Sequence, residues 1–439
     1  MKDVNVRKIK GNRKKLTHVR IDQIDSDQWY WPDGTPVETE TMILNLLLPS
    51  TVKEFYSKLK TEVESLCGSR HSRGTPLARW GSQEGSIFLG GQKVGIEKPR
   101  VRDQATNREV ELETYRKFQD ESMFDKQVFA EGLKRVSQRD YAKGLPQIAG
   151  SFGFSKSKVS KSWKKATQKK LDELLNRNLK ELDIVSVFID GKRFKRYGVV
   201  VALGVSSGGK KYVLGIYQAD TENSAACLNL LEDLDRRGLP QSGLLFVVDG
   251  GSGLNKALES KYAVSDPDQR LAVRIRCHKH KWENIESALT KSGRDERVLA
   301  QASGLFWAMR DARDLIEAQA HAKTLENLLT KANLSALRSF QAAKEDLLNL
   351  HRLGLNEKLR KFFSTTNPIE SLNSITEEDL RRVKRWRDSV HFQRWLATSA
   401  LTAENRMRRP RGFTGLSSLK ARLQELCVKN SVDEKRSIA

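Results

Sequence analysis

The stretch LDIVSVFIDGKRFKRYGVVVALGVSSGGKKYVLGIYQAD, residues 182–220, decides the fold. It holds three runs rich in Val, Ile, Leu and Tyr: IVSVFID, YGVVVALGVSS and KKYVLGIYQAD. β-Branched and aromatic side chains at that density suit a pleated, buried surface. GKRFKR and the pair Gly208-Gly209 separate the runs as turn signals, so three strands are predicted in a meander. NSAACLNLLEDLDRRG follows with the spacing of an amphipathic helix. Then come LLFVVD as a strand, LNKALESKY as a short helix and LAVRIRC as a strand. The order β-β-β-α-β-α-β predicts a mixed α/β sheet with helices on its faces. A right-handed crossover sets the fourth strand beside the first.

Outward from residues 183–285 the patterns change. Residues 286–355 read as helix throughout, an insertion within the sheet domain, and 356–400 resume it with two more helices. Residues 401–439 form a tail, basic at first (ENRMRRPRG) and then amphipathic. Upstream, residues 114–182 are helical and residues 1–113 form a basic region. The first twenty positions carry eight Lys or Arg and one Asp, the mark of an arm that seeks a polyanion. Helical spacing runs from Met42 to Cys67, and SIFLGGQKVGIEKPRVR reads as a hairpin in a partly β module. QIAGSFGFSKSKVSKSWKKATQKKL fits a helix-turn-helix, with Ala149 at the helix crossing, Gly153 at the turn and Ser155 as N-cap of the second helix. Lys156, Lys158 and Lys161 would then face DNA from that helix; an αα-hairpin with a lysine-rich outer face explains the same pattern.

The chain has 439 residues, enough for two to four domains, and a net charge of +23. That balance points to nucleic acid as partner. No apolar run approaches the ~20 residues of a membrane helix, so no membrane partner is expected. Four scattered cysteines fit reduced thiols and a cytoplasmic location better than a disulfide framework.

Three acids stand out: Asp190 in SVFIDGK, Asp249 in LLFVVDGGSGL and Glu370 in TTNPIESLNS. Each has an ordinary explanation. The two Asp-Gly pairs can make tight turns. Asn367, Pro368 and Glu370 can be the N-cap, first residue and capping-box partner of a helix. Together they suggest more. Two strand ends of one sheet share an edge, and a helix returning after the insertion can add the third acid there. Such a cluster repels itself unless cations neutralise it, and oxygen donors suit Mg²⁺ or Mn²⁺, with two ions expected. GGSGLNK has neither of the glycine spacings of nucleotide loops, so its glycines are assigned to close backbone approach at Asp249.

The order of a DG after the first strand, VVDGGSGL, a CxxH after a later strand, a helical insertion and NPIESLNS resembles bacterial insertion-sequence transposases of the Mutator type. The likeness runs from KPRVRD to about residue 400. It implies an RNase H-like catalytic domain of the DDE group, with Asp190, Asp249 and Glu370 as the catalytic and metal-binding triad. It also implies cleavage at the element's ends, joining of 3′-hydroxyls to target DNA, a homodimer or larger assembly on DNA, and a nucleoid-associated bacterial enzyme. Cys277 and His280 match the CxxH; two ligands are half a structural zinc site, so a structural or DNA-facing role is expected. Asn367 and Asn373 lie three residues either side of Glu370, one helical face with it. Arg381, Arg382, Lys384 and Arg385 follow as a DNA-gripping patch beside Trp386. Two competing functions use the same residues: a helix-turn-helix regulator with an inactive nuclease-like domain, and a nuclease that never joins strands.

Overall fold

The computed structural model describes residues 4–6, 17–19, 39–70, 75–89, 92–119, 151–152, 156–219, 223–291, 296–381 and 383–427. The chain divides into two compact units, residues 1–167 and 168–439.

The second unit is built on one five-stranded sheet. Its strands are β1 (Ile184–Phe194), β2 (Tyr197–Ser206), β3 (Lys211–Gln218), β4 (Leu244–Val248) and β5 (Ala272–Arg276), in the order β5-β4-β1-β2-β3. The meander β1-β2-β3 is antiparallel, while β4 runs parallel to both β1 and β5. Helices α1 (Ser224–Arg236) and α2 (Ser252–Tyr262) flank β4 in sequence. They bury Leu230, Leu231, Leu234, Leu254 and Leu258 against one sheet face, on Val187, Ile189, Val200 and Phe246. The opposite face, with Val185, Phe188, Val201 and Val247, is covered by helices from the C-terminal third, including Ile369, Leu372, Phe392 and Leu396. Alternation along the strands therefore feeds two cores, and the fold is mixed α/β.

Between β5 and the last helices lie α3 (His278–Lys291), α4 (Glu296–Asp311), α5 (Leu315–Ala332), α6 (Leu334–Gln341) and α7 (Lys344–Arg352). They enclose a core of their own around Trp282, Phe306, Leu325 and Phe340. Trp282 is thus a core aromatic. Three helices follow where two were expected, α8 (Glu357–Phe363), α9 (Asn367–Arg381) and α10 (Ser389–Glu404), and the tail adds α11 (Leu416–Leu426).

The first unit packs Phe55, Leu59 and Val63 of the helix Thr39–Cys67 onto a hairpin of Leu77–Leu89 with Gln92–Asp103. The hairpin expected from SIFLGGQKVGIEKPRVR is present, its first strand starting nine residues earlier, at Leu77. Of the expected helix-turn-helix, the second helix is Lys156–Leu175. Ser151 and Phe152, just before the turn expected at Gly153, pair as a short strand with Lys93 and Val94. Ala149, Gly153 and Ser155 lie outside the described residues, as does Arg382. All four cysteines are free and buried, and no helix of the described residues is long and apolar enough to cross a membrane.

Candidate active site

The site starts at the parallel pair β1–β4. Their register sets Phe188 against Val247 and Ile189 against Val248. The next residues on the two chains are Asp190 and Asp249, so the register brings both acids to one edge. Strands in a sheet lie about 4.8 Å apart, close enough for two carboxylates to repel strongly. Asp249 ends β4 as expected, but Asp190 does not end β1. The strand continues four residues to Phe194, still paired with β2, with Gly191 opposite Val200. Asp190-Gly191 is therefore not a turn; the turn is at Lys195 and Arg196, where Lys195 takes a left-handed φ of 54°. The physical reason is that β2 continues to pair with β1 beyond the end of β4.

Past Asp249 the chain reverses at Gly250, whose φ of 104° an L side chain rarely adopts. The Gly251 N–H donates to Asp249 Oδ1 at 2.9 Å, and α2 starts at Ser252. The third acid comes from the first turn of α9, which is anchored by Ile369 and Leu372 in the core. The helix starts at Asn367, one residue earlier than a helix capped by Asn367. The Thr366 carbonyl accepts from the Ile369 and Glu370 N–H groups, each at 3.0 Å, so Thr366 takes the capping place. Its buried hydroxyl donates to Glu370 Oε1 at 2.5 Å. Asn367 is exposed, while Asn373, three residues past Glu370, is buried and donates from Nδ2 to Asp190 Oδ2 at 2.7 Å.

Electrostatics ties the three acids together. Burial, then the charge of Asp249, pushes the Asp190 carboxyl up to about 6; Glu370 adds to the rise, and the Asn373 hydrogen bond and His280 oppose it. The edge thus carries more negative charge than its protein donors offset. Each acid has a separate hydrogen-bond donor, and among the described residues no three His, Cys, Asp or Glu side chains stand close enough to hold an ion as they are. The donor chemistry, three carboxylates with surplus repulsion, fits a hard divalent cation.

Cys277 and His280 sit beside this edge. Cys277 follows β5, its N–H donating to the Val248 carbonyl at 2.7 Å, and α3 begins at the next residue. His278 is therefore the first helical residue and not a further strand position. It is fully buried, and burial pushes its imidazole down to about 3. His280 hydrogen-bonds Cys277, an interaction that pushes the imidazole up to about 9 against burial, with the Cys277, Glu370 and Asp249 charges adding to the rise. Burial would raise the Cys277 thiol, but hydrogen bonds with His280 and Thr366 outweigh it and lower its pKa. His280 Nε2 lies 3.9 Å from Glu370 Oε1 and its Nδ1 3.5 Å from the Thr366 hydroxyl.

Two contributors escaped the sequence reading. Thr366 is one. The other is Arg276, within electrostatic reach of Asp249 and 3.0 Å from Asp346 of α7, which also accepts from Arg274 at 2.9 Å. Charged residues two apart in an otherwise apolar strand were the available signal. Of the expected DNA-facing residues, Lys161, Arg381, Lys384 and Arg385 are exposed, and Lys156 and Lys158 lie in a helix, with side chains outside the described residues. Trp386 is buried against His391 and Phe392 and is not a stacking platform for bases.

The chain matches the family described as "Transposase, Mutator family" over residues 47–400. It belongs to that family. Among curated proteins it is 26% identical over 249 residues to the transposase for insertion sequence element IS6120 of Mycolicibacterium smegmatis, covering 54% of this chain and 71% of the relative. It is 26% identical over 339 residues to the transposase for ISRM3 of Rhizobium meliloti, covering 75% and 77%. For the transposase for IS905 of Lactococcus lactis the match is 26% over 243 residues, and it spans 57% of that relative's length. A transposase role follows for this Mutator-family chain.

Proposed function

We propose that this Mutator-family protein cuts double-stranded DNA at the ends of an insertion sequence and joins the freed 3′-hydroxyls to target DNA. The observation that carries this reading is the acid cluster at the β1–β4 edge, with Asp190 pushed up to about 6 by burial and by the charges of Asp249 and Glu370. A half-buried set of like charges is costly, and in a transposase-family chain divalent cation binding gives it a use. Asp190, Asp249 and Glu370 would hold Mg²⁺ or Mn²⁺, two ions in all. The bound metal would supply activation of the attacking hydroxyl and stabilisation of the leaving oxygen. Asn373 fixes the Asp190 carboxylate, Thr366 fixes Glu370, and the His280 imidazolium offsets charge beside Glu370. Sheet order and acid placement agree with an RNase H-like catalytic domain of the DDE type. Lys156, Lys158 and Lys161 would add contacts to DNA from the N-terminal part. Two ends must be processed together, so a homodimer or larger assembly on DNA belongs to the proposal, as does work at the bacterial nucleoid.

The test uses full-length protein, end-bearing duplex DNA and Mg²⁺ or EDTA. Metal-dependent nicks at the element ends and strand-transfer products are expected, with loss of both in Asp190→Asn, Asp249→Asn and Glu370→Gln. Binding with no cleavage by the parent protein would favour the regulator; cleavage with no joined product would favour the plain nuclease.

A further inference from the structure

Beyond Asp190, β1 leaves β4 behind but stays paired with β2, which β3 flanks as far as Val199; past that point the two continue alone as a ribbon tipped by Lys195 and Arg196. The ribbon segment GKRFKR contains four cations and no acid. A second basic segment, RRVKRWR at 381–387, carries five cations and no acid. The two are hydrogen-bonded together. Lys195 Nζ donates to the Val383 carbonyl at 2.6 Å, and Arg196 donates to the Trp386 carbonyl at 3.2 Å. Trp386 roots the second segment by burying its ring beside Phe392, which also stacks on Tyr197 of the ribbon. Lys192 pairs with Glu377 at 3.0 Å. Among the described residues, Arg193, Lys195, Arg196, Arg381, Lys384 and Arg385 have no carboxylate within ion-pair distance.

We propose that this ribbon and the 381–387 segment form one surface that grips the backbone of duplex DNA within a few base pairs of the cut. The proposal rests on the acid edge being the cleavage site. Charge complementarity identifies the partner, because unneutralised cations held by packed backbone favour a phosphate lattice. The span follows from strand geometry. Four residues at about 3.3 Å each carry Phe194, the last strand residue before the tip, roughly 13 Å from Asp190, and base pairs stack at about 3.4 Å, so phosphates gripped along this stretch fall within about four base pairs. A ribbon that adds cations but reads no base edge gives affinity and register without sequence preference.

Site-directed cross-linking tests this on the full chain. Arg193→Cys introduces an exposed thiol, whereas the cysteines of the parent chain are all buried. It is mixed with end DNA carrying a disulfide-activated tether at successive phosphates around the cut, in EDTA. The expected result is cross-linking confined to about four base pairs on one side of the cut. No cross-link at any position, or equal yields along the duplex, would overturn the proposal. A second variant, Arg193→Ala with Arg385→Ala, is expected to reduce the slope of log binding constant against log salt by about 2, one per lost phosphate contact. An unchanged slope would also overturn it. Neither readout needs strand cleavage, so a dead acid cluster and a misassigned surface give different results.

Discussion

Replacing Asp190 by Asn is expected to make the metal-free protein more stable while abolishing activity. The Asp190 carboxyl is raised from 3.8 to about 6, by burial first and by neighbouring negative charge second. A gap of about two units at ~1.36 kcal/mol each amounts to about 3 kcal/mol in favour of the protonated acid within the fold. Between pH ~4 and ~6 the folded protein keeps a proton that the unfolded chain has released. Stability of the parent protein is therefore lost as pH rises through that window. The Asn side chain has no charge to lose and can still accept from Asn373. The variant should match the parent near pH 4 and exceed it by about 2–3 kcal/mol at pH 7.5, a midpoint rise of roughly 5–10 °C for a unit of this size. The assay is thermal unfolding in EDTA between pH 4 and 8, followed by tryptophan fluorescence. Equal midpoints at neutral pH, or an advantage independent of pH, would refute the reasoning. An acid kept for structural pairing would give the opposite sign, because its loss destabilises.

Two further outcomes are expected. Asp346→Ala leaves the buried Arg274 and half-buried Arg276 guanidinium groups without their shared carboxylate, and should cost about 3–5 kcal/mol in denaturant unfolding; an unchanged midpoint would remove Asp346 from the account. Gly250→Ala meets no clash, since a Cβ there would lie 3.5 Å from Arg276, but it strains the φ of 104°. A loss of about 1–3 kcal/mol with reduced cleavage is expected, and parental activity would show that the turn does not fix Asp249.

The sheet was legible because its strands are dense in β-branched residues and the glycine pairs fall between them. The parallel placement of β4 beside β1 follows from chain handedness, and with it the meeting of Asp190 and Asp249. The turn expected over GKRFKR is confined to Lys195 and Arg196, because its first residues read the same in a turn and in a strand; only pairing with β2 separates the two. Thr366 was hidden behind Asn367, since both residue types cap helices and one position decides between them. The Arg276–Asp346 pair joins residues 70 apart through the insertion's packing, a contact no local pattern encodes. The basic segment 381–387 was visible as composition, but its partner ribbon was read as a turn, and the packing of Trp386 on Phe392 and Trp395 is a tertiary contact that composition does not encode.

Anomalous scattering from Mn²⁺ in crystals of the full-length protein bound to end DNA tests the central claim most directly. The account predicts manganese peaks about 2.0–2.2 Å from carboxylate oxygens of Asp190, Asp249 and Glu370. Peaks only elsewhere, with the three acids left unligated beside the bound DNA, would contradict it.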